Sequence, residues 1–450
     1  TYDSGRIDDA IIDYEKLKMN NNLLSDTKAI LFIAIPMILS NISIPLLGLV
    51  DTAIVGRIGT TEIGSVAIGA ATFSLIYWSF SFLRMCTTGY IAQAWGRSNL
   101  KDAEDIVQKT ISIALFCGIL IILLSIPLRD LCLLILGPSE DIKIVAQTYI
   151  DIRFWGAPAV LLNLVILGIL IGSNKPWKVV IITIVTNLVN IALDFYLGVF
   201  LSYGVIGIAY GTLISEWIGV SLGIIIIKNT FPEFRIFSFS TKFNKVLKKI
   251  IVSNIDFFIR TILILTAIMM FTAIGARLGN LILAANSILI LLQMFLSYGL
   301  DGFAQAAEVL VGNAYGAKKK ILLKKIIMLT GLISFVVAIM YSLLYWFYGL
   351  HIIKIITNID EVILSTSTYL PWMTISPVIS FLAFHLDGVY IGTAKTRIMR
   401  NSMLISFTVY ILSIIILVPY LDNHGLWISF LIFMFFRGMT LLSKYRAIYI

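Results

Sequence analysis

Long apolar runs dominate the chain, separated by short polar breaks. Twelve are legible, at 28–55, 62–91, 106–127, 146–171, 178–201, 204–227, 250–275, 281–311, 322–348, 363–392, 398–420 and 425–443. A helix of about 20 apolar residues crosses the hydrocarbon core of a bilayer, so each run predicts a transmembrane helix. Lys and Arg fall mostly on alternate connections, as in Lys318, Lys319, Lys320, Lys324 and Lys325, then Lys395, Arg397 and Arg400. The positive-inside rule puts that side, and both termini with it, in the cytoplasm. An even number of spans agrees.

An internal repeat supports the count. Gly56-Arg57-Ile58-Gly59 recurs as Ala276-Arg277-Leu278-Gly279, and Gln93-Ala94-Trp95-Gly96 as Asn313-Ala314-Tyr315-Gly316. At the same shift, Ile171-Gly172-Ser173-Asn174-Lys175 meets Ile391-Gly392-Thr393-Ala394-Lys395. Six spans separate the copies, so the two halves have parallel topology, an arrangement used by transporters. The predicted fold class is therefore an all-α membrane protein, with twelve transmembrane helices in two pseudo-symmetric six-helix bundles. The domains expected are a polar N-terminal segment at 1–23, a first lobe at 24–228, a basic cytoplasmic linker at 229–249 and a second lobe at 250–450. Residues 1–18 lack the pattern of a signal peptide. Met19 is a candidate start, so the leader need not be native.

Composition narrows the class further. The 450 residues are 59% hydrophobic and 13% charged, with a mean hydropathy of +0.96, which excludes a soluble globular protein. A net charge of +9 would suggest nucleic acid in a soluble chain. Here the bases sit in connections and no basic patch is interleaved with aromatics, so no nucleic-acid partner is expected. The three cysteines read as small buried hydrophobes. With three histidines, and without Cys-x-x-Cys, His-Glu-x-x-His or Gly-x-Ser-x-Gly, no enzyme constellation is legible, and no cofactor is expected beyond a coupling H⁺ or Na⁺. Richness in Ile, Lys and Asn hints at an AT-rich genome. The expectation is a monomer in a bacterial inner membrane.

The candidate chemistry begins at Asp51, inside the apolar run 42–56. A carboxylate there is costly unless it faces water, an ion or a partner. In the fifth span Asn187, Asn190 and Asp194 stand at i, i+3 and i+7 on one helix face. Thr212 lies about as far beyond the following hairpin turn as Asp194 lies before it. With Asp51 these side chains supply two carboxylates, two amides and a hydroxyl at similar depth, hard oxygen ligands suited to Na⁺ or to a shared proton. The competing reading is a polar network that merely joins helices. The repeat adds an asymmetry, because Asp51 corresponds to Phe271 and Asp194 to Ile414, so only the first half can build this site.

Other charges are expected nearer the cytoplasmic face. Asp256 and Arg260, at i and i+4, suggest a local ion pair. Asp301, Gln305 and Glu308 share a face, and Asp387 follows His385 by two residues. Arg84 lies at comparable depth in the first half. Arg84 with Asp301 or Glu308 is a candidate inner gate, and Gln305 and Asp387 are candidate substrate contacts.

At these residues the chain resembles the multidrug and toxic compound extrusion (MATE) transporters, within them the DinF-like branch. The resemblance rests on Pro36-Met37-Ile38-Leu39-Ser40-Asn41 leading to Leu49-Val50-Asp51-Thr52-Ala53, on Phe82-Leu83-Arg84, on Ser297-Tyr298-Gly299-Leu300-Asp301 through Glu308, and on Leu386-Asp387-Gly388. It implies a V-shaped pair of bundles, alternating access, and export of small organic, often cationic, compounds against inward H⁺ or Na⁺. It also implies that Asp51 couples the ion, with Asn190, Asp194 and Thr212 completing the cation site. A lipid-linked precursor flippase of the same superfamily is the alternative function. A membrane-embedded enzyme is a more distant one. Few intramembrane basic residues, namely Arg84 and Arg260, disfavour the flippase, whose cavity should be large and cationic.

Overall fold

A backbone in lipid must satisfy its own hydrogen bonds, and every apolar run in the described residues is helical. The computed structural model describes residues 23–57, 59–236 and 245–449. The expected N-terminal segment except Leu23, and the middle of the expected linker, lie outside the described residues. The first half comprises α1 (Leu23–Val55), α2 (Thr60–Ser79), α3 (Phe82–Gly96), α4 (Leu100–Leu123), α5 (Ser125–Leu136), α6 (Glu140–Arg153), α7 (Ala157–Gly172), α8 (Pro176–Leu193) and α9 (Gly204–Thr230). The second comprises α10 (Lys245–Leu278), α11 (Asn280–Gly316), α12 (Lys320–Ile356), α13 (Asp360–Gly392) and α14 (Thr396–Ser443).

Eleven described helices or helix pairs are long and apolar enough to span a membrane. The last accounts for two of the twelve predicted spans. Its 48 residues would measure about 72 Å if straight, more than twice the roughly 30 Å core. Asp422 (φ 46°, ψ −126°), three residues after Pro419, breaks it into two helices. The second span is likewise interrupted, at Phe80 and Ser81 between α2 and α3, and the fourth carries a 3₁₀ turn at Phe154–Gly156 between α6 and α7. One element differs from the expectation. Helix α5 occupies the connection after the third span, beginning at Ser125 inside the predicted run 106–127. Its apolar Leu131, Leu134 and Ile135 are exposed, and left-handed Gly137 (φ 57°) ends it.

The described residues divide into two compact units, one within Leu39–Asn254 and the other within Ile255–Ile450 together with the chain from residue 23 to Ile38. The repeat is visible in their backbones. Among the described residues, all six non-glycine residues with positive φ form three pairs 220 positions apart: Ser98 with Lys318, Asn174 with Ala394, and Ser202 with Asp422. Helix packing repeats as well. A Cβ on Gly172 of α7 would meet the Thr88 carbonyl of α3 at 2.7 Å, and one on Gly392 of α13 would meet the Glu308 carbonyl and the Gly312 nitrogen (3.0 Å) of α11. Small residues let such backbones approach where lipid supplies no hydrophobic drive.

Large apolar side chains such as Phe116, Ile225, Met328, Trp346 and Leu412 are exposed along the helices. In water that would be a liability; against lipid tails it is the natural solvent contact. The interior of the second unit is aromatic. Phe271, the counterpart of Asp51, packs edge-on against Trp427 at 4.9 Å and against Phe430 at 5.6 Å.

Candidate ion-coupling site

Buried polar groups in lipid must pair with each other or with an ion, and the first-half unit gathers several. Asn190 is buried on the last turn of α8, and Asp194, fully buried, opens a seven-residue π-helical segment, Asp194–Phe200. Such wide turns inside helices recur at functional sites. The Asn190 amide donates to Asp194 Oδ2 and to Thr212 Oγ1 of α9, both at 3.2 Å. Thr212 spends its own proton on the Ile208 carbonyl (3.0 Å), which leaves its oxygen to accept. Gly211 makes the room, because a Cβ there would overlap Asp194 Oδ1 and meet the Asp194 nitrogen at 3.0 Å.

Asp51 is half-buried on α1. Its Oδ1, Asp194 Oδ1 and Asn190 Oδ1 are buried without a hydrogen-bond partner. Asp51 and Asp194 lie close enough to repel one another, and Arg153 attracts both. Beside Asp51 a cleft of about 370 Å³ is lined by Val50, Ala53, Ile54, Arg57, Ile191 and Phe195. Asn187 is half-buried and makes no hydrogen bond with Asn190, Asp194 or Thr212. Seven residues of helix put it about 10 Å below Asp194.

Two charged residues that the sequence analysis did not assign to the site are built into the same unit. Arg153, at the end of α6, donates to Glu216 Oε1 of α9 (2.7 Å) and to the Tyr149 hydroxyl (2.8 Å). Its guanidinium lies 4.9 Å from the Phe73 ring centre. Both residues fall inside predicted spans, 146–171 and 204–227, where the cost of a buried charge was the available signal.

The second-half unit holds a different arrangement. Asp387 of α13 is buried and takes Arg260 of α10 and Arg437 of α14 on one oxygen, Oδ2. The expected Asp256–Arg260 neighbours find other partners. Arg400 binds Asp256 Oδ1 and Thr396 donates to Oδ2, each at 2.7 Å, while Arg260 reaches Asp387. Cross-helix partners replace the i, i+4 pair because burial rewards every satisfied oxygen. Along α11, Asp301 is half-buried and Gln305 and Glu308 are buried, with Asp301 in the field of Arg260. Arg84 is half-buried on α3 of the first-half unit. Arg153 and Arg437 thus join Arg84 and Arg260 as intramembrane bases, and Arg153, Arg260 and Arg437 are each committed to a carboxylate. His385 is buried, with its Nε2 toward Gly331 on α12.

The MatE family model matches the chain twice, at residues 36–196 and 257–417, stretches of equal length set apart by about the repeat shift. The chain is 36% identical to DNA damage-inducible protein F of Escherichia coli (strain K12), over 94% of this chain and 93% of that one. It is 24% identical to human Multidrug and toxin extrusion protein 1, over 93% of this chain and 74% of that one. Among solved structures, a MATE in the bent conformation superposes with a TM-score of 0.86 at 20% identity, covering 94% of this chain and 95% of the other.

Proposed function

The chain belongs to the MatE family of multidrug and toxin extrusion transporters, and on that premise we propose that it is a secondary active exporter of small organic cations, driven by inward H⁺ or Na⁺. The observation that carries the reading is the set of buried oxygens on Asp51, Asp194 and Asn190 that no protein donor satisfies. Leaving such groups bare costs free energy. A proton on one carboxylate, or a Na⁺ among the oxygens with Thr212, would remove that cost. Two carboxylates that repel each other cannot both remain charged without a counter-ion, so occupancy follows the ion gradient.

Coupling requires that ion and substrate favour different access states. Neutralising Asp51 and Asp194 removes their mutual repulsion, and α1 and the π segment, which carry them, are the elements that would respond. The proposal places the chain as a monomer in the inner membrane of a bacterium, with both termini cytoplasmic and the basic stretch 229–249 as linker between the lobes.

Efflux of ethidium from proteoliposomes under separately imposed H⁺ and Na⁺ gradients tests this reading. One gradient should drive efflux by wild type, and Asp194→Asn should abolish the drive. Gradient-driven efflux that Asp194→Asn leaves at the wild-type rate would refute it.

A further inference from the structure

We infer that the lysine-rich start of α12 binds an anionic phospholipid of the adjoining leaflet. The headgroup phosphate sits among Lys318, Lys319, Lys320 and Lys324, and the chains follow the exposed face of that helix. Five of the eight residues 318–325 are lysine. Lys325 is paired with buried Asp26 of α1. The other four are exposed and make no ion pair among the described residues. Lys320 and Lys324 stand one turn apart, where like charges destabilise a helix. An anion between them removes that cost.

Their place on the helix identifies the partner. Lys320, Lys324, Met328, Leu332, Val336 and Met340 follow at intervals of four residues and form one row along α12. The four apolar members are 48–63% exposed and meet lipid chains, and the two lysines continue the row to the helix start. Beside them Ile321 is 90% exposed. A lysine so placed lays its apolar stem along the chains and keeps its charge at headgroup level. Orienting the chain in the membrane requires lysines on that side, but not on that row.

The repeat supplies the contrast. Lys318 and Ser98, 220 positions apart, share a left-handed turn, with φ of 58° and 53°. The backbone bonds agree too, Lys318 N–H to the Tyr315 carbonyl at 3.1 Å and Ser98 N–H to the Trp95 carbonyl at 2.9 Å. The charge is reversed, since residues 98–105 carry three acids and one lysine. On α4 the chain itself covers the row. Glu104 and Gln108, the counterparts of Lys324 and Met328, hold the Arg235 backbone. Glu104 accepts from its N–H at 3.0 Å and Gln108 donates to its carbonyl at 2.9 Å. Phe231 packs edge-on against Trp95 at 5.2 Å. Among the described residues no segment takes that place on α12. Where α4 offers a carboxylate to a backbone N–H, α12 offers ammonium donors, which suit a phosphate.

The test uses the purified full-length protein, in nanodiscs of phosphatidylcholine or phosphatidylglycerol for hydrogen exchange and in detergent for thermal unfolding. Exchange across residues 318–328 should be slower in phosphatidylglycerol. The thermal midpoint should rise on adding that lipid, but not on adding phosphatidylcholine or glycerol 3-phosphate. Salt at about 1 M should cancel both effects, because the Debye length falls to about 3 Å. A lysine at the membrane surface is worth roughly fivefold in binding an anionic lipid. K320Q/K324Q should therefore lower the affinity roughly tenfold or more, while K101Q, at the counterpart of Ile321, should leave it unchanged. K318Q/K319Q, in the turn before the helix, should weaken binding to a similar degree and serves if K320Q/K324Q disturbs folding.

An equal response to both lipids, or a phosphatidylglycerol response that survives both double variants, would overturn the inference. A response to glycerol 3-phosphate alone would overturn it in favour of a soluble phosphate. Carbodiimide coupling of Lys320 or Lys324 to a carboxylate of residues 1–22, with no lipid response, would overturn it in favour of the chain's own acid-rich segment. No readout involves transport, so failure here leaves the antiport reading untouched.

Discussion

Gly211→Ala is the most local perturbation the structure offers to the coupling site. The added methyl would overlap Asp194 Oδ1 and approach the Asp194 nitrogen at 3.0 Å and the Leu193 carbonyl carbon at 3.2 Å. The backbone contacts are tight but within what a small shift absorbs, whereas the carboxylate must turn away. Turning it breaks the 3.2 Å bond from Asn190. A hydrogen bond to a charged group is worth about 1.5–3 kcal/mol, and mild overpacking costs about 1–3 kcal/mol. Apparent affinity for the coupling ion should therefore shift roughly ten- to a hundredfold. The protein should still reach the membrane, because the strain sits on one side chain at the start of an already irregular segment. The assay is ethidium efflux from proteoliposomes against a graded ion gradient, with size-exclusion profiles to confirm folding. Gly137→Ala is the control for a glycine remote from the site: nothing lies within 4 Å of its added carbon, and although its left-handed backbone (φ 57°) makes alanine cost about 1–2 kcal/mol of stability, it should keep wild-type ion dependence. Wild-type ion dependence in Gly211→Ala would mean that the position of Asp194 does not govern coupling.

Other expectations concern stability and the division of labour between the halves. Gly388→Ala should destabilise the protein by about 1–3 kcal/mol or more, because its methyl would meet the Ala304 backbone at 2.8 Å (C) and 3.0 Å (Cα); a thermal midpoint equal to wild type would contradict the tight α11–α13 packing. Asp387→Leu takes away the carboxylate that two buried guanidiniums share and should cost about 3–5 kcal/mol, read as lost monodisperse protein. Asp387→Leu combined with Arg260→Met and Arg437→Met should recover much of that loss, and no recovery would count against a charge-balance role. Asn190→Ala should weaken ion dependence while Asn187→Ala leaves it within about twofold, given a surface or half-buried substitution of about 0.5 kcal/mol; equal defects would put Asn187 back in the site.

The membrane spans were legible because hydrocarbon thickness fixes both length and composition. The repeat was legible because short loop motifs with left-handed residues, such as Asn174 and Ala394, must be kept to turn a helix sharply. Depth matching brought Thr212 to Asn190 across a hairpin, which needs only equal distances from the turn. Asn187 shares the face without joining that hydrogen-bond set, since seven residues of helix separate it from Asp194. The π-helical turn at Asp194 has no pattern in an apolar sequence and became visible only in the backbone. Arg153 and Glu216 were hidden for a different reason. Both lie inside predicted spans, but on helices that carry none of Asp51, Asn190 and Asp194. Partners on α9 and α6 identify each other only once those helices are packed. Helix α5 escaped notice because its apolar residues continue the run before it.

The central claim is that Asp51 couples ion movement to export, and Asp51→Asn isolates it. We would measure ethidium efflux with and without an imposed ion gradient, alongside ethidium binding to the purified variant. The account predicts that Asp51→Asn still binds ethidium and still equilibrates it down its own gradient, yet shows no acceleration by H⁺ or Na⁺. Acceleration equal to wild type in that variant would contradict the account at its root.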